Sequence, residues 1–223
     1  MISAAPERAN YLDAIAHLPA GGTLIFQRVS WEEYEKLLAS LGSGYAPRIS
    51  YDHGKLEISM PLPIHDRQKE FISHLLRVLT DELGQDCEAL GSTTYKYQPW
   101  LQGLEPDACF YVQNIERVLG VRRFDPSAPP PPPDIVVEID ITSESLSRFP
   151  TYANLSVPEI WRYDEHAVRI YHLSEAGYAE AAASRVFPFL TGEVLFNLLE
   201  RSIALGQSAA LREFRQWVKE QRA

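Results

Sequence analysis

At 223 residues, with 45% hydrophobic and 11% aromatic side chains, the chain has ample material for a packed core, which excludes global disorder. Its formal charge of −9 excludes a protein that coats nucleic acid by bulk positive charge, although acids gathered around a metal inflate such a count and a local basic patch is compatible with it. Cys87 and Cys109 fit neither a disulfide framework nor a zinc spacing. With no leader-like start and no long apolar run, they point to a cytoplasmic protein with reduced thiols and no membrane span.

In chain order, a short helix is expected from Tyr11 to His17 and a strand over Thr23-Leu24-Ile25-Phe26. Ser30-Trp31-Glu32-Glu33 is a capping box, and Tyr34, Leu37 and Leu38 continue an apolar helical stripe that ends near Gly42. A hairpin follows: Arg48 to Tyr51, a turn at Asp52-His53-Gly54, then Lys55 to Met60. Leu56, Ile58 and Met60 share one face of its second strand, and the other face, with Glu57, reads as solvated.

From Ile64 to Leu83 runs the clearest helix, with Ile72, Leu75, Leu76, Leu79 and Leu83 as its buried stripe and His65 and Gln68 on the same side. A strand is predicted over Cys87 to Gln98, a turn at Gly103 and a strand after Asp107. Residues 113 to 133 read as a loop closed by five prolines, Pro129 to Pro133, a stiff spacer leading into the next strand. After that strand, Ser143 or Ser145 is placed to cap a short helix reaching Leu155. Strands follow at Pro158 to Tyr163 and Val168 to Tyr171, then a hairpin around Gly177. Helices over Thr191–Ser202 and Ser208–Glu220 close the chain.

Two segments carry the chemistry: Glu105-Pro106-Asp107-Ala108-Cys109-Phe110-Tyr111-Val112 and Pro133-Asp134-Ile135-Val136-Val137-Glu138-Ile139-Asp140. Strand alternation puts Val136, Glu138 and Asp140 on one face of the second, its two acids roughly 7 Å apart. Carboxylates that close among apolar neighbours call for a cation or a proton. If the first segment is a neighbouring strand, Asp107 adds a third acid, and the pattern suggests a divalent-metal site.

The order of elements, with Asp107 opening one strand and Glu138 inside the next, resembles the PD-(D/E)XK nuclease superfamily. More narrowly it is similar to the Uma-two family of restriction-endonuclease-like proteins. The shared residues are Asp52, Gly54, Glu57, Met60-Pro61, His65, Glu105-Pro106-Asp107, Pro133-Asp134, Glu138, Ser143, Tyr152, Val157-Pro158-Glu159 and Trp161. They cover about residues 30 to 175. The resemblance implies an α/β (α+β) fold, a restriction-endonuclease-like mixed β-sheet flanked by helices, as one domain over residues 1–223. Its core would span about 45–175, with an N-terminal helix/hairpin extension over 1–44 and a C-terminal hairpin and helices over 176–223.

It also implies a Mg²⁺- or Mn²⁺-dependent endonuclease acting on DNA, as a homodimer. Asp107 and Glu138 would be metal ligands and Asp140 an auxiliary one. Asp140 occupies the place where such enzymes carry a lysine two residues after the second acid. Lys96 is the first candidate for the missing cation and a phosphate contact. Arg148, where relatives have a lysine four residues before Tyr152, is the second. The missing lysine and the acidity motivate an alternative, a nuclease-fold binding or regulatory module that no longer cuts. A third option is a metal-dependent hydrolase of another phosphate ester.

Overall fold

A computed structural model describes residues 10–41, 47–141 and 145–221, so the expectations at Gly42 and Ser143 lie outside the described residues. The chain opens with helix α1 (Tyr11–Ala16), strand β1 (Thr23–Phe26) and helix α2 (Trp31–Leu41). The capping box forms in both directions: the Ser30 amide donates to Glu33 Oε2 at 2.9 Å, and the Glu33 amide to Ser30 Oγ at 3.2 Å. The hairpin strands β2 (Arg48–Asp52) and β3 (Lys55–Ser59) pair with Asp52 opposite Lys55, which leaves His53-Gly54 as a two-residue turn. Both turn residues have positive φ, the geometry that matches strand twist.

Helix α3 (Pro63–Leu83) starts on a proline and stops at Gly84, whose left-handed φ of 66° ends it. The single strand predicted over Cys87 to Gln98 is two short ones, β4 (Glu88–Ala89) and β5 (Tyr95–Tyr97), which belong to different sheets. Gly91, at φ 60°, lies in the break between them. Gly103, expected in a turn, instead lies inside strand β6 (Gln102–Leu104), and the reversal occurs at Leu101, which has a positive φ. A Cβ on Gly103 would collide with the Tyr34 hydroxyl, and Tyr34 is fully buried in a stack on Tyr51 at 4.9 Å. Gly103→Ala is therefore expected to cost about 1–3 kcal/mol in a denaturant titration, and an unchanged midpoint would contradict this packing.

The remaining strands are β7 (Ala108–Tyr111), β8 (Ile135–Ile139), β9 (Glu159–Tyr163), β10 (Val168–Ser174) and β11 (Gly177–Ala181). Helix α4 (Phe149–Asn154) links β8 to β9, and α5 (Gly192–Leu205) and α6 (Gln207–Gln221) follow. Two sheets result, ordered β1-β3-β2-β6-β5 and β11-β10-β9-β8-β7-β4. The second is mixed, because β8 and β9 run parallel while its other pairings are antiparallel. The first takes in β1, so part of the expected N-terminal extension is built into a sheet.

Strand β8 is buried along both faces, as its near-continuous apolar run requires. Ile135, Val137 and Ile139 pack with the α3 stripe and with Leu195, Leu199, Phe214 and Val218 of α5 and α6. Val136 packs on the opposite face with Cys109, Tyr152 and Ile160. That alternation sends Glu138 to the face shared with Tyr152.

Candidate active site

Glu138 is 1% exposed and Asp107 2% exposed. Ala108 pairs with Val137 across β7 and β8, so one further step in the antiparallel register sets Asp107 beside Glu138. Both faces of β8 are covered and the acids cannot turn to water, so each takes its partners from the surrounding elements. Asp107 Oδ2 accepts from the Ile139 amide at 2.7 Å and lies 3.0 Å from His65 Nε2. Its Oδ1 is 3.5 Å from Arg48 Nε. Glu138 accepts from Arg148 Nη1 at 3.1 and 3.3 Å and from the Tyr152 hydroxyl.

The helix stripe of α3, extended to its first turn, delivers His65, and the hairpin delivers Arg48 and Glu57. Glu57, read from sequence as a solvated residue, is buried and lies 3.9 Å from Arg148 Nη2. Arg148 thus spans from Glu138 in one sheet to Glu57 in the other. The strand-face argument failed for Glu57 because the polar face of β3 is covered too: Ser59 beside it is also buried. Its place among the family-matched residues was the signal that could have found it.

Of the other expected site residues, Asp140 is 8% exposed and bonded to Arg162 Nε at 2.5 Å. Lys96 lies on β5 in the other sheet, opposite Gly103, and its Nζ pairs with Glu35 Oε1 at 2.6 Å. The structure brings Asp107, Glu138 and Arg148 together and leaves Lys96 apart. The cation at Glu138 is therefore Arg148, the residue ranked second from sequence, because the register of β5 carries Lys96 to α2. Asp134, at the end of the polyproline stretch, ties down the loop, accepting from the amides of Val112, Gln113 and Asn114 at 2.7–2.9 Å.

Burial pushes the Glu138 carboxyl up to about 8. Arg148 and the Tyr152 hydroxyl oppose that rise, while the charges of Asp107 and Asp140 add to it. Burial acts on Asp107 as well, but the hydrogen bond and charge of His65, the Ile139 amide and Arg148 outweigh it and hold that carboxyl below its ordinary value. The two neighbours therefore differ: one acid is held ionised, the other favours its proton.

A pH dependence follows. Between its ordinary 4.5 and about 8, Glu138 keeps in the folded state a proton that the unfolded chain has lost. The folded state then binds more protons, so stability falls as pH rises through that window. Asp107 acts with the opposite sign, and only near and below its ordinary 3.8, outside the window. The urea midpoint should drop from pH 5 to pH 8 in the wild type and drop less in Glu138→Gln. An equal slope in both would assign the profile to other groups.

Asp107 and Glu138 offer oxygen donors alone, a hard set that suits Mg²⁺ or Mn²⁺. Among the described residues, no group of three or more His, Cys, Asp or Glu side chains is placed to hold a metal ion, so Asp107, Glu138 and Asp140 do not converge as one three-acid set. Mg²⁺ does not require one, since it keeps several waters and is held through one or two carboxylates plus substrate phosphates. The donor pair fits an ion of that kind.

A pair of acids on adjoining strands of a helix-flanked mixed sheet, with a cation from the next helical turn, defines a protein of the restriction-endonuclease-like class. A solved structure titled as a putative nuclease belonging to DUF820, from Anabaena variabilis, superposes with a TM-score of 0.53 at 16% identity. The match covers 77% of this chain and 99% of that one, and it establishes the shared fold. The chain belongs to the Uma2 family, described as "Putative restriction endonuclease", whose model matches residues 31–204. No curated protein matches it. Membership of that family supports a nuclease-like function. Among the described residues, no helix is long and apolar enough to cross a membrane.

Proposed function

We propose that the chain is a Mg²⁺- or Mn²⁺-dependent endonuclease hydrolysing phosphodiester bonds of DNA, acting in the cytoplasm as a homodimer. The observation that carries this reading is the buried Asp107–Glu138 pair with Arg148 against it. Asp107 and Glu138 would hold the ion, with Asp140 as the auxiliary acid. When bound, the ion supplies positive charge at the phosphate and acidifies a water.

The chain's own residues position this chemistry. His65 and the Ile139 amide fix Asp107, and the Tyr152 hydroxyl fixes Glu138. Arg148 stays protonated among the acids, so its planar fork can clamp a phosphate but cannot take a proton from water. Arg148 is thereby a charge stabiliser, not a base. Lys96, already engaged with Glu35, is a weaker phosphate contact.

A second reading has its own support: Asp140 stands where a lysine is expected and is bonded to Arg162, so the fold could serve as a non-cutting binding module. Incubating supercoiled plasmid with the protein in EDTA, Mg²⁺ or Mn²⁺ separates the two. The endonuclease reading expects nicking with metal alone, absent in Glu138→Gln. Plasmid binding without cleavage in either metal would favour the module.

A further inference from the structure

One well-formed cavity lies away from the acids. It is an open trough of about 860 Å³ between the polyproline wall, the loop after β7 and the C-terminal end of α4. A smaller one of about 330 Å³ adjoins it, and the two share Arg123, Phe124, Asp125 and Pro130. Asp107 and Glu138 line neither, and Lys96 and Glu35 line the smaller one.

This trough is built, not incidental. Asp134 clamps the start of the loop with three backbone amides and the Asn114 side chain. Tyr111 donates its hydroxyl to the Pro131 carbonyl at 2.8 Å, and Pro130 is buried. The prolines therefore form a fixed wall and not a free polyproline ligand for another protein. Two aromatic rings line the cavity, each braced from behind: Trp100 edge-on to Tyr97 at 4.9 Å, Phe124 on Tyr95 at 5.6 Å.

The charges at the trough favour an anion. Arg117 and Arg123 line it and are exposed, and among the described residues neither has an ion-pair partner. Asp125 lines both cavities as well and keeps its charge, which the Ser127 amide and hydroxyl favour, so the trough carries two guanidinium groups against one carboxylate, while Glu35 pairs with Lys96. Over residues 113–133 the chain carries three arginines against two acids, within a molecule of net charge −9. Braced aromatic faces with unpaired guanidinium groups are the recognition chemistry of an unpaired nucleotide, whose base stacks and whose phosphate pairs.

The trough also lies close to the acids along one short element. Asn154 and Leu155 line it, while Tyr152, one turn back in the same segment, bonds Glu138. The six residues of α4 span about 9 Å at the helical rise. We infer that this trough is a subsite for an unpaired nucleotide of a DNA strand, which holds single-stranded or flipped-out DNA next to the acid pair. The inference rests on the nuclease reading for its substrate but not for its test, which reads binding alone.

The test is fluorescence anisotropy of a labelled single-stranded DNA oligonucleotide in EDTA, where cleavage cannot occur. The wild type is expected to bind it. Trp100→Ala is expected to bind about tenfold more weakly. The exposed double variant Arg117→Ala/Arg123→Ala, which removes no core packing, should also lose about tenfold, with a smaller dependence on salt. Equal binding by wild type and double variant, or no single-strand binding by the wild type, would overturn the subsite. So would displacement of the oligonucleotide by free dTMP at equal nucleotide concentration, since the occupant would then be a mononucleotide. The nuclease reading fails on a different observation, metal-independent or absent plasmid cleavage, so the two can be rejected separately.

Discussion

Glu138→Gln is expected to reduce metal-dependent DNA cleavage by about a hundred- to a thousandfold, the scale of losing one fixed group that stabilises charge in a transition state. Glutamine keeps the length of the side chain and an oxygen for the Tyr152 hydroxyl, so local packing survives. What it loses is the anionic oxygen pair that would hold a cation and that now meets Arg148. The fold should not suffer in proportion. A carboxyl that burial has pushed up to about 8 is a net burden on the folded state once ionised, and a neutral amide removes that burden. The variant should therefore equal or exceed wild-type stability at pH 8 while being inactive. An inactive variant that is also unfolded would say nothing about chemistry, and an active one would remove Glu138 from the site. Asp107→Asn should match the loss of cleavage but be less stable, because its carboxylate is held ionised by His65 and the Ile139 amide.

Arg148→Met is expected to lower stability by about 3–5 kcal/mol, the range for breaking one partner out of a buried ionic group. Arg148 meets both Glu138 and Glu57, and its own side chain is only 11% exposed. Glu138 already holds its proton at pH 6 and is ionised only above about 8, where it most needs the guanidinium, so the cost should sit low in that range at pH 6 and grow towards pH 8.5. Chemical denaturation at the two pH values checks this. A cost independent of pH would mean that Arg148 acts through packing and not through charge. Arg148→Lys should recover part of the stability, but with a single ammonium it cannot reach both sheets with the same planar fork.

Much of this architecture was legible because local signals and burial agree. The α2 capping box, the α3 stripe ending at Gly84 and the alternation along β8 each follow from sequence periodicity, and each forms as expected. The misplaced elements are those decided by long-range pairing. Nothing local separates one strand over Cys87 to Gln98 from two short strands joined to different sheets, and a glycine in mid-strand reads as a turn unless the tyrosine over it is known.

The same limit governs the site. Asp107 and Glu138 stand out as acids embedded in apolar runs, a pattern visible without tertiary structure. Choosing between Lys96 and Arg148 required the register of β5, and recognising Glu57 required knowing that a second sheet covers its face. The trough at Trp100 and Phe124 left a trace as well, in the arginines interleaved with the loop ahead of the prolines. Its meaning depends on Asp134 folding that loop back onto the sheet.

The central claim is that Asp107 and Glu138 form a divalent-metal site, and titration calorimetry of Mn²⁺ into the protein with a bound cleavage-resistant duplex, in wild type and in Glu138→Gln and after subtraction of the heat of Mn²⁺ on the duplex alone, tests it most directly. The duplex supplies the phosphate oxygens that a two-carboxylate site needs. Saturable binding in the wild type that Glu138→Gln abolishes is the predicted result. Identical heats in both proteins, or none in either, would contradict it.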